Sequence, residues 1–67
     1  MPDSKVIGKR IRLLRGNIPR KTICAVCGVG LSSMSMYECG QRVPSDKIKV
    51  KLAGFFGKSV QEIFFTD

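Results

Sequence analysis

Pro19 to Gly40 reads PRKTICAVCGVGLSSMSMYECG, and its punctuation decides the fold. Arg20 to Cys27 contains neither glycine nor proline and places Ile23, Cys24 and Cys27 on one side of a short helix. Gly28 stands where that helix must stop and reverse, because glycine accepts a positive φ without steric penalty. Val29 follows as an apolar plug for the angle between two helices. The next helix is expected from Leu31 to about Glu38, with Met34 and Tyr37 at i, i+3 on its inner side. Two short helices joined by a tight glycine turn form a helix-turn-helix. Its second helix projects, as insertion into a DNA groove requires.

The flanking sequence supplies three more helices. Ser4 to Arg15 carries Ile7, Ile11 and Leu14 in an i, i+4, i+7 stripe, with Ser4 as the expected N-cap. Gly16 closes this helix, and Asn17-Ile18 leads to Pro19, which suits a helix start because no backbone donor is lost there. Downstream, Gly40 ends the third helix and Gln41 to Pro44 is a loop. Ser45 caps a fourth helix, Asp46 favours its positive end, and Ile48, Leu52 and Phe56 keep one face apolar up to Gly57. Ser59 and Glu62 have the S-x-x-E spacing of a capping box and open a fifth helix through Val60, Ile63 and Phe64. No strand pattern, repeat or low-complexity segment competes. The expectation is one compact all-α domain of five helices over residues 1–67.

Composition narrows the function. Sixty-seven residues allow a single small core, burying about 60% of the unfolded surface. Twelve Lys and Arg against five acids give a net charge of +7 and a pI near 9.9, a balance that attracts polyanions. No apolar run approaches the roughly 18 residues of a membrane span, and the N-terminal MPDSKVIGKR lacks a signal-peptide core. Three cysteines, an odd count, fit a reducing cytoplasm. With no histidine and no paired-carboxylate constellation, an enzyme is not expected. Cys24 and Cys27 have the CxxC spacing used by zinc and redox sites, yet three thiols without a histidine leave a tetrahedral site incomplete. Both are read as small core hydrophobes and Cys39 as the exposed thiol, so neither metal nor cofactor is expected.

IGKRIRLLR (Ile7 to Arg15), Gly28-Val29, YECGQRVPS (Tyr37 to Ser45) and LAGFFGKSVQEIF (Leu52 to Phe64) stand in order at a recognisable spacing. Over about residues 7–65, with the helix-turn-helix at about 19–40, the chain resembles the Cro/lambda-repressor-type regulators, also called xenobiotic-response-element-like. The resemblance implies a lambda-repressor-like DNA-binding domain of five helices. It implies a bacterial or phage cytoplasmic transcription regulator, working as a homodimer on a partly palindromic duplex operator without a small-molecule ligand. Repression is the default mechanism. Two alternatives stand beside it: a protein-interaction module of antirepressor type on the same fold, and a thiol-responsive regulator.

The same resemblance assigns roles. Leu31, Ser32, Ser33, Ser35 and Met36 should face the base edges, joined by Arg20, which stands where relatives usually have a glutamine. Asn17, Lys21, Arg42 and Lys47 are the phosphate candidates. Lys49 and Lys51 are set aside because alternate residues on a helix diverge. Arg10 is expected to pair with Glu38 at the end of the recognition helix, a structural tie, while Lys5, Lys9, Arg12 and Arg15 form a solvated face. The aromatic cluster exceeds what one end of so small a core can hold. Phe56 and Phe64 fit the core stripe, and a two-fold contact is assigned to Phe55, Phe64 and Phe65. The recognition helix lacks the outward glutamine, arginine or asparagine of many relatives, and Gly30 replaces their serine or threonine cap. Serines read bases weakly, which leaves discrimination to DNA shape.

Overall fold

Helices form where the sequence punctuates them: α1 (Ser4–Arg15), α2 (Arg20–Cys27), α3 (Leu31–Cys39), α4 (Asp46–Phe56) and α5 (Gln61–Phe65). The structure, a computed structural model, describes residues 2–67, and no strand occurs among them. No helix among the described residues is long and apolar enough to cross a membrane.

The caps show why these boundaries hold. Asp3, not Ser4, caps α1: its carboxylate accepts from the Val6 N–H at 2.9 Å. Ser4 faces the end of α3, where its hydroxyl donates to the Gly40 carbonyl at 2.7 Å. The neighbouring carboxylate is therefore left to serve the helix, and its charge suits the positive end. Ser45 caps α4 by accepting from the Ile48 N–H at 3.4 Å. The capping box of α5 closes both ways, Ser59 N–H to Glu62 at 3.0 Å and Glu62 N–H to Ser59 Oγ at 3.1 Å. This last helix is one turn in π register, with Thr66 N–H returning to the Gln61 carbonyl at 2.9 Å.

Gly28 adopts the left-handed conformation, φ 69° and ψ 38°. That turn brings the Val29 N–H onto the Cys24 carbonyl at 3.0 Å, satisfying an orphan acceptor of α2. The same closure ends α3 (Gln41 N–H to Met36, 2.9 Å) and α4 (Lys58 N–H to Ala53, 3.0 Å). Val29 itself is buried in the angle between α2 and α3.

The core collects Ile7 and Ile11 of α1, Ile23 of α2, Met34 of α3, Leu52 of α4, and Ile63 and Phe64 of α5. Each contributes about 1.5–3 kcal/mol by leaving water. Helix α1 lies against α3 and α5, and α2 against α3 and α4. The α1–α3 crossing turns on Gly8. A Cβ there would lie 2.6 Å from the Glu38 carbonyl oxygen and press on that of Tyr37, so the two backbones meet without a side chain between them.

Phe64 corrects one expectation. It is fully buried within its own chain, so it has no surface to offer a second copy; the α5 turn points it inward beside Ile63. Phe55 and Phe56 are half-buried and meet edge to face at 5.4 Å. Phe65 keeps 37% of its surface exposed. Cys24 and Cys27 are buried and Cys39 is exposed. Burial pushes both inner thiols above their ordinary range, and the Cys27 S–H donates to the Lys51 carbonyl at 3.6 Å.

Candidate nucleic-acid interface

The outer side of α3 presents Leu31, Ser32 and Met36 to solvent, with Ser33 and Ser35 half-buried beside them. Periodicity accounts for this division, since Met34 and Tyr37 take the inner side with the rest of the core. The side chain of Ser35 accepts a hydrogen bond from Arg20 Nη1 at 3.3 Å. Asn17, Lys21, Arg42 and Lys47 are all exposed. Asn17 and Lys21 flank the start of α2, Arg42 follows α3, and Lys47 opens α4. The structure draws Arg20 and Ser35 together and leaves these four free of ion pairs within the described chain.

Two helix starts on this side differ from the others. Neither α2, preceded by Pro19, nor α3, preceded by Gly30, has a side chain capping its first amides, and neither has an acid in its first turn. Helices α1, α4 and α5 all have side-chain partners there. The partial positive charge and free N–H groups of α2 and α3 are thus available to an anion.

Glu38 is the one acid between Pro19 and Gly40, and it is spent inside the protein. Its carboxylate, with no exposed surface, accepts four hydrogen bonds. Arg15 of α1 supplies Nε at 2.8 Å and Nη2 at 3.1 Å. Arg20 of α2 supplies Nη2 at 3.0 Å and Nε at 3.3 Å. Burial alone would raise the Glu38 pKa, but the hydrogen bonds and charges of the two guanidinium groups overcome it and hold the carboxyl below its usual range. The same hydrogen bonds raise the pKa of Arg20 further. A buried carboxylate is tolerable only with such partners.

The pairing differs from the expected Arg10–Glu38 tie. Arg10 donates instead to the backbone carbonyls of Ile63 at 3.0 Å and Glu62 at 3.5 Å, fastening α1 to α5. Arg15, read from sequence as solvated, is the true partner, with only 19% of its side chain exposed. The helical period contained the signal: Arg15 falls about 40° from Ile11, and Arg10 about 100° away on the opposite flank. Arg20, expected at the bases, is held by Glu38 through Nε and Nη2 of its guanidinium while its side chain remains 39% exposed. Lys49 also departs from its neighbours. Its side chain is nine-tenths buried, with Nζ 4.8 Å from the Phe65 ring centre and 3.7 Å from the Asp46 carboxylate.

No protein-family model and no curated protein matches the chain by sequence. Among solved structures it is similar to the restriction-modification controller protein C.AhdI from Aeromonas hydrophila. The two share 28% identity and superpose with a TM-score of 0.81, covering 91% of this chain and 96% of that one. The likeness runs through nearly the whole of both chains and supports the resemblance to the Cro/lambda-repressor-type helix-turn-helix regulators.

Proposed function

We propose that the protein is a transcription regulator that binds duplex DNA, placing α3 in the major groove. One observation carries the reading: α2 and α3 both begin uncapped, on a segment whose single acid is buried and matched by two arginines. That segment suits a polyanion, because it has no exposed carboxylate of its own to repel one. Leu31, Ser32, Ser33, Ser35 and Met36 then meet base edges, and Asn17, Lys21, Arg42 and Lys47 meet phosphates. The likeness to a restriction-modification controller supports a regulatory role. Blocking of polymerase is the mechanism proposed.

A homodimer completes the site. The domain measures 28 × 23 × 22 Å, shorter than the roughly 34 Å between successive major grooves on one face of DNA. One copy therefore reaches one half-site. Phe65, exposed, and Phe55, half-exposed, supply apolar surface for a two-fold contact. Phe65→Ala should shift the protein toward monomer in sedimentation at micromolar concentration; an unchanged distribution would remove Phe65 from the interface.

Selection from a random duplex pool, with reductant present, tests the reading. An enriched inverted repeat with half-sites one turn apart is expected, and log K should fall by about 0.9 per phosphate neutralised as log salt rises. A folded protein that enriches nothing would overturn DNA binding. It would favour a protein-binding role for the exposed Leu31 and Met36.

A further inference from the structure

Arg20 is the residue of the helix-turn-helix whose donors are divided between anchorage and the open face. Its Nε–H and one Nη2–H go to Glu38, at 3.3 and 3.0 Å, and one Nη1–H goes to Ser35 Oγ at 3.3 Å. A guanidinium has five N–H groups. Two therefore remain, one on each terminal nitrogen, on a side chain still 39% exposed. Glu38 cannot follow Arg20 outward, because Arg15 holds the same carboxylate from α1 at 2.8 Å. The fork is fixed in direction, and it leans on the outward helix α3 through Ser35.

Its charge, by contrast, is partly matched, since Arg15 and Arg20 share the one Glu38 carboxylate and leave a cluster of net +1. A phosphate contact draws on an unmatched cation that displaces counterions and tolerates many angles. Two N–H groups aimed by a buried carboxylate suit a pair of acceptors in one plane. In the major groove that pair is guanine O6 and N7. From this geometry we infer that Arg20 reads a guanine in each half-site, with Glu38 and Ser35 as its positioning residues. The inference rests on the duplex binding proposed above and adds to it the one strong direct contact that the serine-rich α3 lacks.

The test pairs site selection with titration of single-base variants. The wild-type protein should select one guanine per half-site and prefer it over adenine by about 5- to 150-fold. Arg20→Lys keeps the charge and loses the fork; that preference should fall to near unity, with little change for sites lacking the guanine. Ser35→Ala should reduce the preference partway. Putting 7-deazaguanine at the position removes one acceptor from the DNA and needs no protein variant. It should weaken wild-type binding and leave Arg20→Lys unaffected. Selection of an operator without such a guanine, or a uniform loss across all sequences in Arg20→Lys, would overturn the inference while leaving DNA binding intact. Absence of any duplex binding would overturn both.

Discussion

Two glycines lie inside helices of this protein, and the same substitution should move its stability in opposite directions. At Gly8 an added Cβ would sit 2.6 Å from the Glu38 carbonyl oxygen and 2.9 Å from its carbon, with the Tyr37 carbonyl also in the way. These are backbone atoms of a packed helix, so no rotamer can relieve the overlap. Alanine gains about 1 kcal/mol of helix propensity over glycine. Overpacking costs about 1–3 kcal/mol and more when the neighbours cannot yield, so Gly8→Ala should lose about 2 kcal/mol net. In a domain of this length that is a large part of a total of about 3–10 kcal/mol, and a fall in Tm of about 8–16 °C. Gly54 in α4 is exposed, and a Cβ added there would meet nothing within 4 Å. Gly54→Ala should therefore gain about 0.5–1 kcal/mol, raising Tm by a few degrees. Thermal unfolding followed by circular dichroism measures both. A Gly8→Ala protein as stable as wild type would mean that α1 and α3 do not meet backbone to backbone.

Acid should act through Glu38. Its folded pKa is depressed, so its contribution is present above the unfolded value near 4.5 and is lost as pH falls through the folded one. Urea unfolding of Glu38→Gln should show a loss of about 3 kcal/mol or more at neutral pH and a flatter acid limb. The limb that survives comes from Glu62, whose pKa the Ser59 cap also lowers; an unaltered limb would exclude Glu38 as its source. A thiol reagent applied to the native protein should label Cys39 first. Cys24 and Cys27 should react about a hundredfold more slowly, since they wait for an opening of about 3 kcal/mol or more. Equal rates would place those two thiols outside the core.

The helices were legible because their ends are written in local chemistry. Gly28, Gly40 and Gly57 mark stops, Ser45 a start, and Ser59 with Glu62 a reciprocal cap, all within a few residues of the boundary they set. Asp3 was missed because two capping residues stand side by side, and the choice between them depends on Gly40, which lies across the fold. The candidate site was harder to read for the same reason. Pairing of Arg15 and Arg20 with Glu38 joins residues 23 and 18 positions apart; charge sign alone admitted Arg10 equally. The angular position of Arg15 next to Ile11 was the available clue. The inward turn of Lys49 has a similar origin, since only the placement of Phe64 and Phe65 gives its ammonium a surface to lie on.

A single carboxylate that fastens three helices also limits how the protein can be retargeted. Transplanting a foreign recognition segment onto positions 31–39 would replace Ser35 and Glu38 together, although both belong to the mounting of Arg20. A graft without an acid at position 38 would leave two guanidinium groups facing each other across a vacated, half-dry site. The recipient would lose its scaffold before any new operator preference could be measured. Grafts that retain Glu38 and vary Leu31, Ser32, Ser33 and Met36 keep the scaffold, and they define the part of this surface that is open to exchange.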